Sequence, residues 1–314
     1  MSEAATATPD GSKGLNIMRA YVAGQAALGY PAFEPGPRPD DVILATFPKS
    51  GSTWTSYLLQ QIRSGADDDF DDIKNEVVDI TPGHWDPARQ PFAEPQRFRP
   101  RTFKTHGSYT LCPKGAGYIY VGREPKDILW SLYHFIHDLL GIDEWVPLDR
   151  FYRDYFIERF GTGHDIGNVW DHILGWHSLR GEANMLWLHY EDLVLHTEPA
   201  LRLLAGFMQV PLDGPLLGRL VAHAGMDHMR TIADRINPSP DNYVGRIVAG
   251  FGELTRSYAR EMKFGKLRRG IPGDGSAGLP AELVQELDRE WRSRITPKLG
   301  YADYAAMRAA HSPF

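Results

Sequence analysis

The chain has 314 residues, of which 42% are hydrophobic and 24% charged, and its formal net charge is −6. That is the balance of a globular protein with a sizeable core, enough for one large α/β domain or two small ones. It excludes a general attraction to nucleic acid or anionic lipid, so any anion site must be built locally from placed cations and backbone N–H groups.

Residues 1–13 are small and polar and read as a disordered tail, which leaves 14–314 as a single domain. The start, MSEAATATPDGSKG, has no basic-then-apolar leader pattern, and no run in the chain reaches the length of a membrane span. A cytoplasmic protein is expected, without membrane partners. Residues 31–40, PAFEPGPRPD, read as an extended lead-in. DVILATF at 41–47 is a short apolar run suited to a buried parallel strand. The loop after it runs into a helix, because Trp54, Tyr57, Leu58 and Ile62 share one helical face. The stretch 64–75, SGADDDFDDIKN, lacks the glycine and glutamate spacing of an EF-hand and reads as a solvated surface, not a calcium site.

RTFKTH at 101–106 is a candidate second strand, and GYIYVG at 117–122 a stronger one. Between them lies the single cysteine, Cys112, flanked by Leu111 and Pro113 with no nearby histidine. It reads as a small inert hydrophobe; with no partner for a disulfide, the chain fits a reducing compartment. Arg123 follows the stronger strand, and then a helix, PKDILWSLYHFIHDLL, opens on Pro125 near its first position. Residues 141–184 read mainly as helix with many aromatics, MLWLHY at 185–190 as a buried strand, and the region around 198–208 as a helix. A late basic segment, KLRRGIPGDG at 266–275, has too much glycine and proline to be helical.

Strands alternating with helices predict a P-loop type three-layer α/β/α fold with a central parallel sheet. Ligands collect at the carboxyl ends of such strands. The loop after Phe47, the pair Lys104 and His106, and Arg123 therefore come to one rim.

The loop, TFPKSGSTW, departs from a Walker A sequence in an informative way. With Gly51 in the place of the second glycine, Ser52 occupies the lysine position and Thr53 the hydroxyl position. The cation has moved to Lys49, inside the loop. The backbone logic is unchanged: a strand turns sharply into a helix whose free N–H groups and positive dipole end face an anion.

Lys49 in its PKSGSTW setting resembles the phosphosulfate loop of the cytosolic sulfotransferases, whose co-substrate is 3′-phosphoadenosine 5′-phosphosulfate (PAPS) and whose nucleotide product is PAP. GREPKDILWSLYHF at 122–135 is similar to that family's 3′-phosphate motif, and LRRGIPGD at 267–274 to its late Arg-Lys-Gly run. The resemblance covers about Asp41 to Trp291. It implies that Lys49, Ser50, Gly51, Ser52 and Thr53 hold the 5′ end of the donor. It also implies that Arg123, Ser131, Arg268, Arg269 and Gly270 hold the 3′-phosphate. Eight helical residues span about 12 Å, so Arg123 and Ser131 flank a ligand without touching each other. Trp54 matches the residue that stacks on adenine and Tyr190, in HYED, the tyrosine that reaches the base; the remainder of the adenine pocket falls to HMRTIADRINP at 228–238. Relatives carry Trp-Lys after the Gly-Asp of the late segment, where this chain has Gly275 and Ser276, and the family's dimerisation signature is not recognisable. The oligomeric state is left open.

Sulfuryl transfer to an alcohol or phenol needs a base, cations for the departing phosphate oxygen, and positioning. His106 is the expected base, since a neutral imidazole is available near pH 7 and Lys104 stands two residues before it in the KTH context. Lys104 and Lys49 are the expected cations, and the resemblance implies that Ser131 holds Lys49 away from the donor until an acceptor arrives. No metal is required and no metal ligands are assigned. His134 is the next candidate base, with a packed role on a buried helix the better reading. His84 and Trp85 are candidates for the acceptor pocket, as are the aromatics Trp145, Phe151, Tyr152, Tyr155 and Phe156. Those residues favour a small apolar or aromatic hydroxyl acceptor over a charged polysaccharide. The rival readings are a P-loop kinase of a small alcohol or nucleoside, and a relative that binds the nucleotide without chemistry.

Overall fold

A computed structural model of the chain describes residues 11–27, 33–81, 90–142, 145–159, 166–236 and 270–314. In chain order, α1 (Ser12–Ala27) precedes β1 (Val42–Thr46), α2 (Ser52–Ser64), α3 (Ile73–Glu76), β2 (Val78–Asp79), β3 (Thr102–Thr105) and β4 (Gly117–Gly122). Then come α4 (Pro125–Leu140) and a short turn α5 (Leu148–Arg150), which runs into a π-helical stretch over Phe151–Ile157. These lead to α6 (Val169–His177), β5 (Met185–His189), α7 (Tyr190–Leu195), α8 (Thr197–Phe207), α9 (Gly214–Ala224), α10 (Met226–Thr231) and α11 (Ala233–Ile236). The C-terminal part holds α12 (Asp274–Gly278), α13 (Ala281–Arg294), α14 (Thr296–Leu299) and α15 (Tyr304–His311). Among the described residues no helix is long and apolar enough to cross a membrane.

The strands form one sheet in the order β2-β3-β1-β4-β5, and every pairing is parallel. Parallel strands need helical crossovers on both faces, so their sequences read as continuous apolar runs. Accordingly every residue of β1 is buried. Ile43 and Ala45 of β1 and Tyr118 and Tyr120 of β4 join Leu15, Met18 and Val22 of α1 and Ile128, Leu132 and Leu139 of α4 in one core. Val42, Leu44, Ile119 and Val121 face the opposite side, against Leu58 and Ile62 of α2, Leu201 and Leu204 of α8, and Leu217 and Leu220 of α9.

The register places Leu44 beside Lys104 and Ala45 beside Thr105 on one flank, and Ala45 beside Tyr120 on the other. The residues just past these positions are the phosphate-loop start, His106 and Arg123, so the expected rim is formed. A buried bidentate ion pair locks this register: Arg101 Nε and Nη2 donate to Asp41 Oδ1 and Oδ2 at 2.7 and 2.6 Å.

Two expectations are corrected by the fold. α1 starts at Ser12, so Ser12 and Lys13 belong to a helix and not to the tail; the buried Leu15, Met18 and Val22 supply the apolar face that holds it. The late segment 266–275, read as too rich in glycine and proline to be helical, is non-helical over its described residues 270–273 but enters a helix at its end, Asp274–Gly278. Glycine is required there: a Cβ on Gly275 would lie 2.4 Å from the Lys126 carbonyl oxygen, so only a bare backbone packs this closely on α4. The Gly275 amide donates to the buried Asp127 Oδ1 at 2.7 Å, and the Gly273 amide to Oδ2 at 2.8 Å.

Candidate active site

The loop between β1 and α2 bends through two left-handed residues, Lys49 with φ +70° and Gly51 with φ +88°. A Cβ on Gly51 would stand 2.3 Å from the Tyr190 ring, so both conformation and space call for glycine. Gly51 is the N-cap of α2, and no side chain caps the helix. The first amides of α2 therefore keep their donors for a ligand, at the positive end of the helix dipole. Ser50 departs from expectation: it is fully buried, its amide donates to the Phe47 carbonyl at 3.1 Å, and it is not on the cavity wall. Its Oγ has no hydrogen-bond partner among the described residues. Ser50 shapes the turn from behind, while Lys49, Gly51, Ser52, Thr53 and Trp54 face the cavity.

That cavity has a volume of about 400 Å³ and lies at the carboxyl ends of the strands. One part of its wall is polar and holds Arg123, Ser131, Tyr190 and Gly270 besides the loop. Arg123 Nη1 donates to the Lys49 carbonyl at 2.9 Å, and its guanidinium lies 4.6 Å from the Tyr190 ring centroid. Its Nη2 pairs with Asp127 Oδ2 at 3.4 Å, the same carboxylate that holds the Gly273 and Gly275 amides. Asp127 thus ties the guanidinium to the late segment, a role that sequence reading missed although Asp127 follows Arg123 by one helical turn. Tyr190 donates to the Gly270 carbonyl at 3.2 Å, and burial raises its phenol pKa against the pull of Arg123, so it stays a donor. Arg268 and Arg269 lie outside the described residues.

Trp54 packs edge-on to Tyr190 at 6.0 Å and donates from Nε1 to the Ala224 carbonyl at 3.0 Å. The wall near it is completed by Ala224, Gly225 and Met226, where α9 meets α10. The described part of 228–238, expected to close this pocket, packs Met229, Ile232 and Ile236 against Tyr57, Phe70 and Trp54, behind the wall and not on it. A break between two helices presents backbone to a ligand, whereas the apolar face just after it must be buried, which is why the lining falls a few residues earlier. Residues 237 and 238 lie outside the described residues.

His106 is oriented by the sheet. Its Nδ1 lies 2.8 Å from the Thr46 carbonyl oxygen, which can only accept, and 3.1 Å from Thr46 Oγ1, so Nδ1 faces the end of β1. Its own amide donates to Thr81 Oγ1 at 3.0 Å, and the side chain lines the cavity. Lys104 lies on the same wall, and its Nζ donates to Asp79 Oδ2 at 2.9 Å and to Thr81 Oγ1 at 3.4 Å. Burial pushes the Lys104 ammonium pKa down and Asp79 pulls it back up. Asp79 was not foreseen; β2 is a two-residue strand without a legible pattern. Lys49 Nζ stands 4.0 Å above the Phe135 ring, one turn along α4 from Ser131.

The rest of the wall is largely apolar and comes from scattered elements: Tyr21 of α1, Ile73 and Val77 around α3, and Leu132, Phe135 and Ile136 of α4. Tyr155 lines it too, with the buried Arg159 guanidinium 4.9 Å from its ring, while Phe151, Tyr152 and Phe156 are core residues and Trp145 is 40% exposed. His134 is packed among Trp130, Tyr133 and Trp145, as expected for a structural residue. His84 and Trp85 lie outside the described residues.

A sequence model of the sulfotransferase domain matches residues 39–292. The chain belongs to the sulfotransferase family. This sulfotransferase is 29% identical over 274 residues to an amine sulfotransferase of Oryctolagus cuniculus, covering 82% of this chain and 81% of the relative. Among solved structures, a mouse sulfotransferase complexed with PAP aligns with a TM-score of 0.62 at 19% identity, covering 92% of this chain and 93% of that one. A retinol dehydratase in complex with retinol and PAP aligns at 0.65 and 18%, covering 88% and 86%. At such identity these two structures establish the shared α/β fold. The kinase reading loses its ground here, because the matched family transfers sulfuryl groups and Ser52 stands where a kinase loop carries lysine.

Proposed function

We propose that this enzyme transfers a sulfuryl group from PAPS to the hydroxyl of a small apolar or aromatic acceptor, with His106 as base. The observation that carries this reading is the placement of His106: its Nδ1 is held at the Thr46 carbonyl, and its side chain lines the same cavity as the uncapped helix start at Gly51. The donor fits that wall: α2 offers amides without a side-chain cap, and the Gly51–Tyr190 approach leaves no room for a side chain between loop and base pocket.

When bound, PAPS supplies the sulfuryl group and leaves as PAP. The amides of Gly51, Ser52 and Thr53 hold its 5′ end. Arg123, Ser131 and Gly270, together with Arg268 and Arg269, hold its 3′-phosphate, and Trp54 and Tyr190 its base. His106 Nε2 takes the acceptor proton as the acceptor oxygen bonds to sulfur. The Lys49 ammonium neutralises the departing phosphate oxygen, and Lys104 assists from its pair with Asp79, which damps its charge. Tyr21, Val77, Phe135, Ile136 and Tyr155 exclude water from the acceptor side. The composition and the single cysteine favour a cytoplasmic setting.

The test is a panel of phenols, sterols and alkanols incubated with isotopically labelled PAPS, with mass spectrometry reading an added sulfonate. The expected result is sulfonation of at least one apolar or aromatic alcohol without added metal, together with stabilisation of the fold by PAP and not by Mg·ATP. Stabilisation by Mg·ATP alone would overturn the reading.

A further inference from the structure

Within the acidic stretch read from sequence as a solvated surface, Phe70 and Ile73 are buried, and one of the aspartates is not free in solvent either. Asp68 is 23% exposed and is held from several sides. Its Oδ1 accepts from Tyr57 Oη at 2.8 Å and from Gln61 Nε2 at 2.8 Å, and its carbonyl accepts from Arg235 at 2.7 Å. Its Oδ2 is turned towards two imidazoles. His228 Nε2 lies 2.9 Å from it and His223 Nδ1 3.7 Å, and the two rings are stacked in parallel at 4.2 Å with 2° between their planes.

We propose that Asp68, His223 and His228 form a binding site for a divalent transition metal, with Zn²⁺ as its natural probe. One nitrogen of each histidine and one oxygen of Asp68 lie within 4.8 Å of one another, and the three residues come from separate elements. Two ligand atoms at tetrahedral angles on zinc stand about 3.3 Å apart, and the observed 2.9 and 3.7 Å fall on either side of that value. Two imidazoles and one carboxylate are a donor set for zinc or a similar borderline ion and leave a position for water.

Two neighbours position the carboxylate and one of the rings. Tyr57 and Gln61 fix one carboxylate oxygen and leave the other for the ion. Gln61 also sets His223: its Nε2 donates to the Asp67 carbonyl and to Asp68, so its Oε1 faces His223 Nδ1 at 2.8 Å. Both histidine nitrogens that face the carboxylate thus carry protons in the absence of metal. On binding, the proton at each ligating nitrogen moves to the other ring nitrogen of a neutral ring or leaves to solvent from a charged one, each freed lone pair bonds the ion, and the rings tilt out of their stack about the Cβ–Cγ bonds.

The site is separate from the transfer chemistry but adjoins the cavity. His223 precedes Ala224, whose carbonyl holds Trp54, and Gly225 and Met226 line the wall before His228. A bound ion would rivet the α9–α10 junction to the loop after α2.

The experiment is titration of the metal-stripped full chain with Zn²⁺ by calorimetry, with Co²⁺ absorption as a second readout and thermal melting as a third. The expected result is one Zn²⁺ per chain at micromolar affinity, tetrahedral Co²⁺ bands, and a raised melting temperature. His223→Gln and His228→Gln each keep a hydrogen-bond donor towards the cluster and are expected to weaken Zn²⁺ binding at least tenfold. Their metal-free melting points and PAP affinities should stay near those of the unsubstituted chain. Zn²⁺ affinity unchanged by both substitutions, or no binding tighter than millimolar, would overturn the proposal.

Discussion

The two parts of the cavity wall are built by different means. The polar part is organised around backbone: a turn forced left-handed at Lys49 and Gly51 and the uncapped amides of α2, with one buried carboxylate, Asp127, tying Arg123 to the late segment. The apolar part is made of side chains sent from four separate elements, α1, α3, α4 and the π-helical stretch. Backbone geometry tolerates little change, whereas a wall of side chains can be refitted one residue at a time. In the proposed function the donor side is therefore the half least open to change in physical terms, and the acceptor side the adjustable one. His106 stands where they meet.

Substitutions should separate the two halves. The largest effect is expected from His106→Ala, which removes the proposed base without touching the nucleotide wall: kcat should fall about 10²- to 10⁴-fold while calorimetry shows PAP affinity unchanged. Lys49→Ala should lower kcat by about 10²- to 10³-fold, with acceptor KM little moved, because the ammonium acts on charge that develops during transfer. An effect confined to KM would place Lys49 on the acceptor side.

Gly51→Ala tests the backbone itself. With φ at +88° and the Tyr190 ring 2.3 Å from the new Cβ, PAP affinity should fall at least tenfold. Thermal melting should show a loss of about 1–3 kcal/mol. Acid should act on both halves together, through His172. Burial lowers its pKa to about 3, and its ring packs against Phe47 at 5.5 Å and Tyr120 at 5.7 Å, at the root of the loop. The folded state refuses a proton that the unfolded chain takes up below its ordinary value near 6.5, so stability is lost as pH falls through that window. At pH 5 the loss from His172 is about 2 kcal/mol, to be read from denaturant melts at pH 7 and 5 and from its removal in His172→Phe. The smallest effect is expected on the adjustable side: Ile136→Val should change acceptor KM about tenfold or less and leave PAP affinity alone.

The sequence showed the same asymmetry. Backbone sites need local signals, and these were readable: glycine at 51, a strand before it, an amphipathic helix after it, and cations at the ends of β3 and β4. The strands β1, β3, β4 and β5 and the helices α2, α4 and α8 were legible for the same reason, since each carries its own periodicity or apolar run. What escaped was relational. β2 is too short for a pattern, so Asp79 could not be paired with Lys104 in advance. Asp127 looked like a first-turn helix residue, and its partners sit near residue 274 in a segment that read as coil. Tyr21 belongs to a helix read past entirely, and Ala224–Met226 are small and flexible residues whose role depends on a helix break. Asp68 looked like one aspartate among five and is in fact held by Tyr57, Gln61 and His228.

The central claim is that one cavity recognises both ends of a bisphosphorylated adenosine, without a metal to bridge them. It is tested most directly by calorimetric titration, in EDTA, of the unsubstituted chain and of Arg123→Ala with PAP and with adenosine 5′-phosphate. The account predicts one PAP per chain, a preference over adenosine 5′-phosphate of about 100-fold, equivalent to about 2.7 kcal/mol, and loss of most of that preference in Arg123→Ala. Equal affinity for the two nucleotides, or a preference that Arg123→Ala leaves intact, would contradict it.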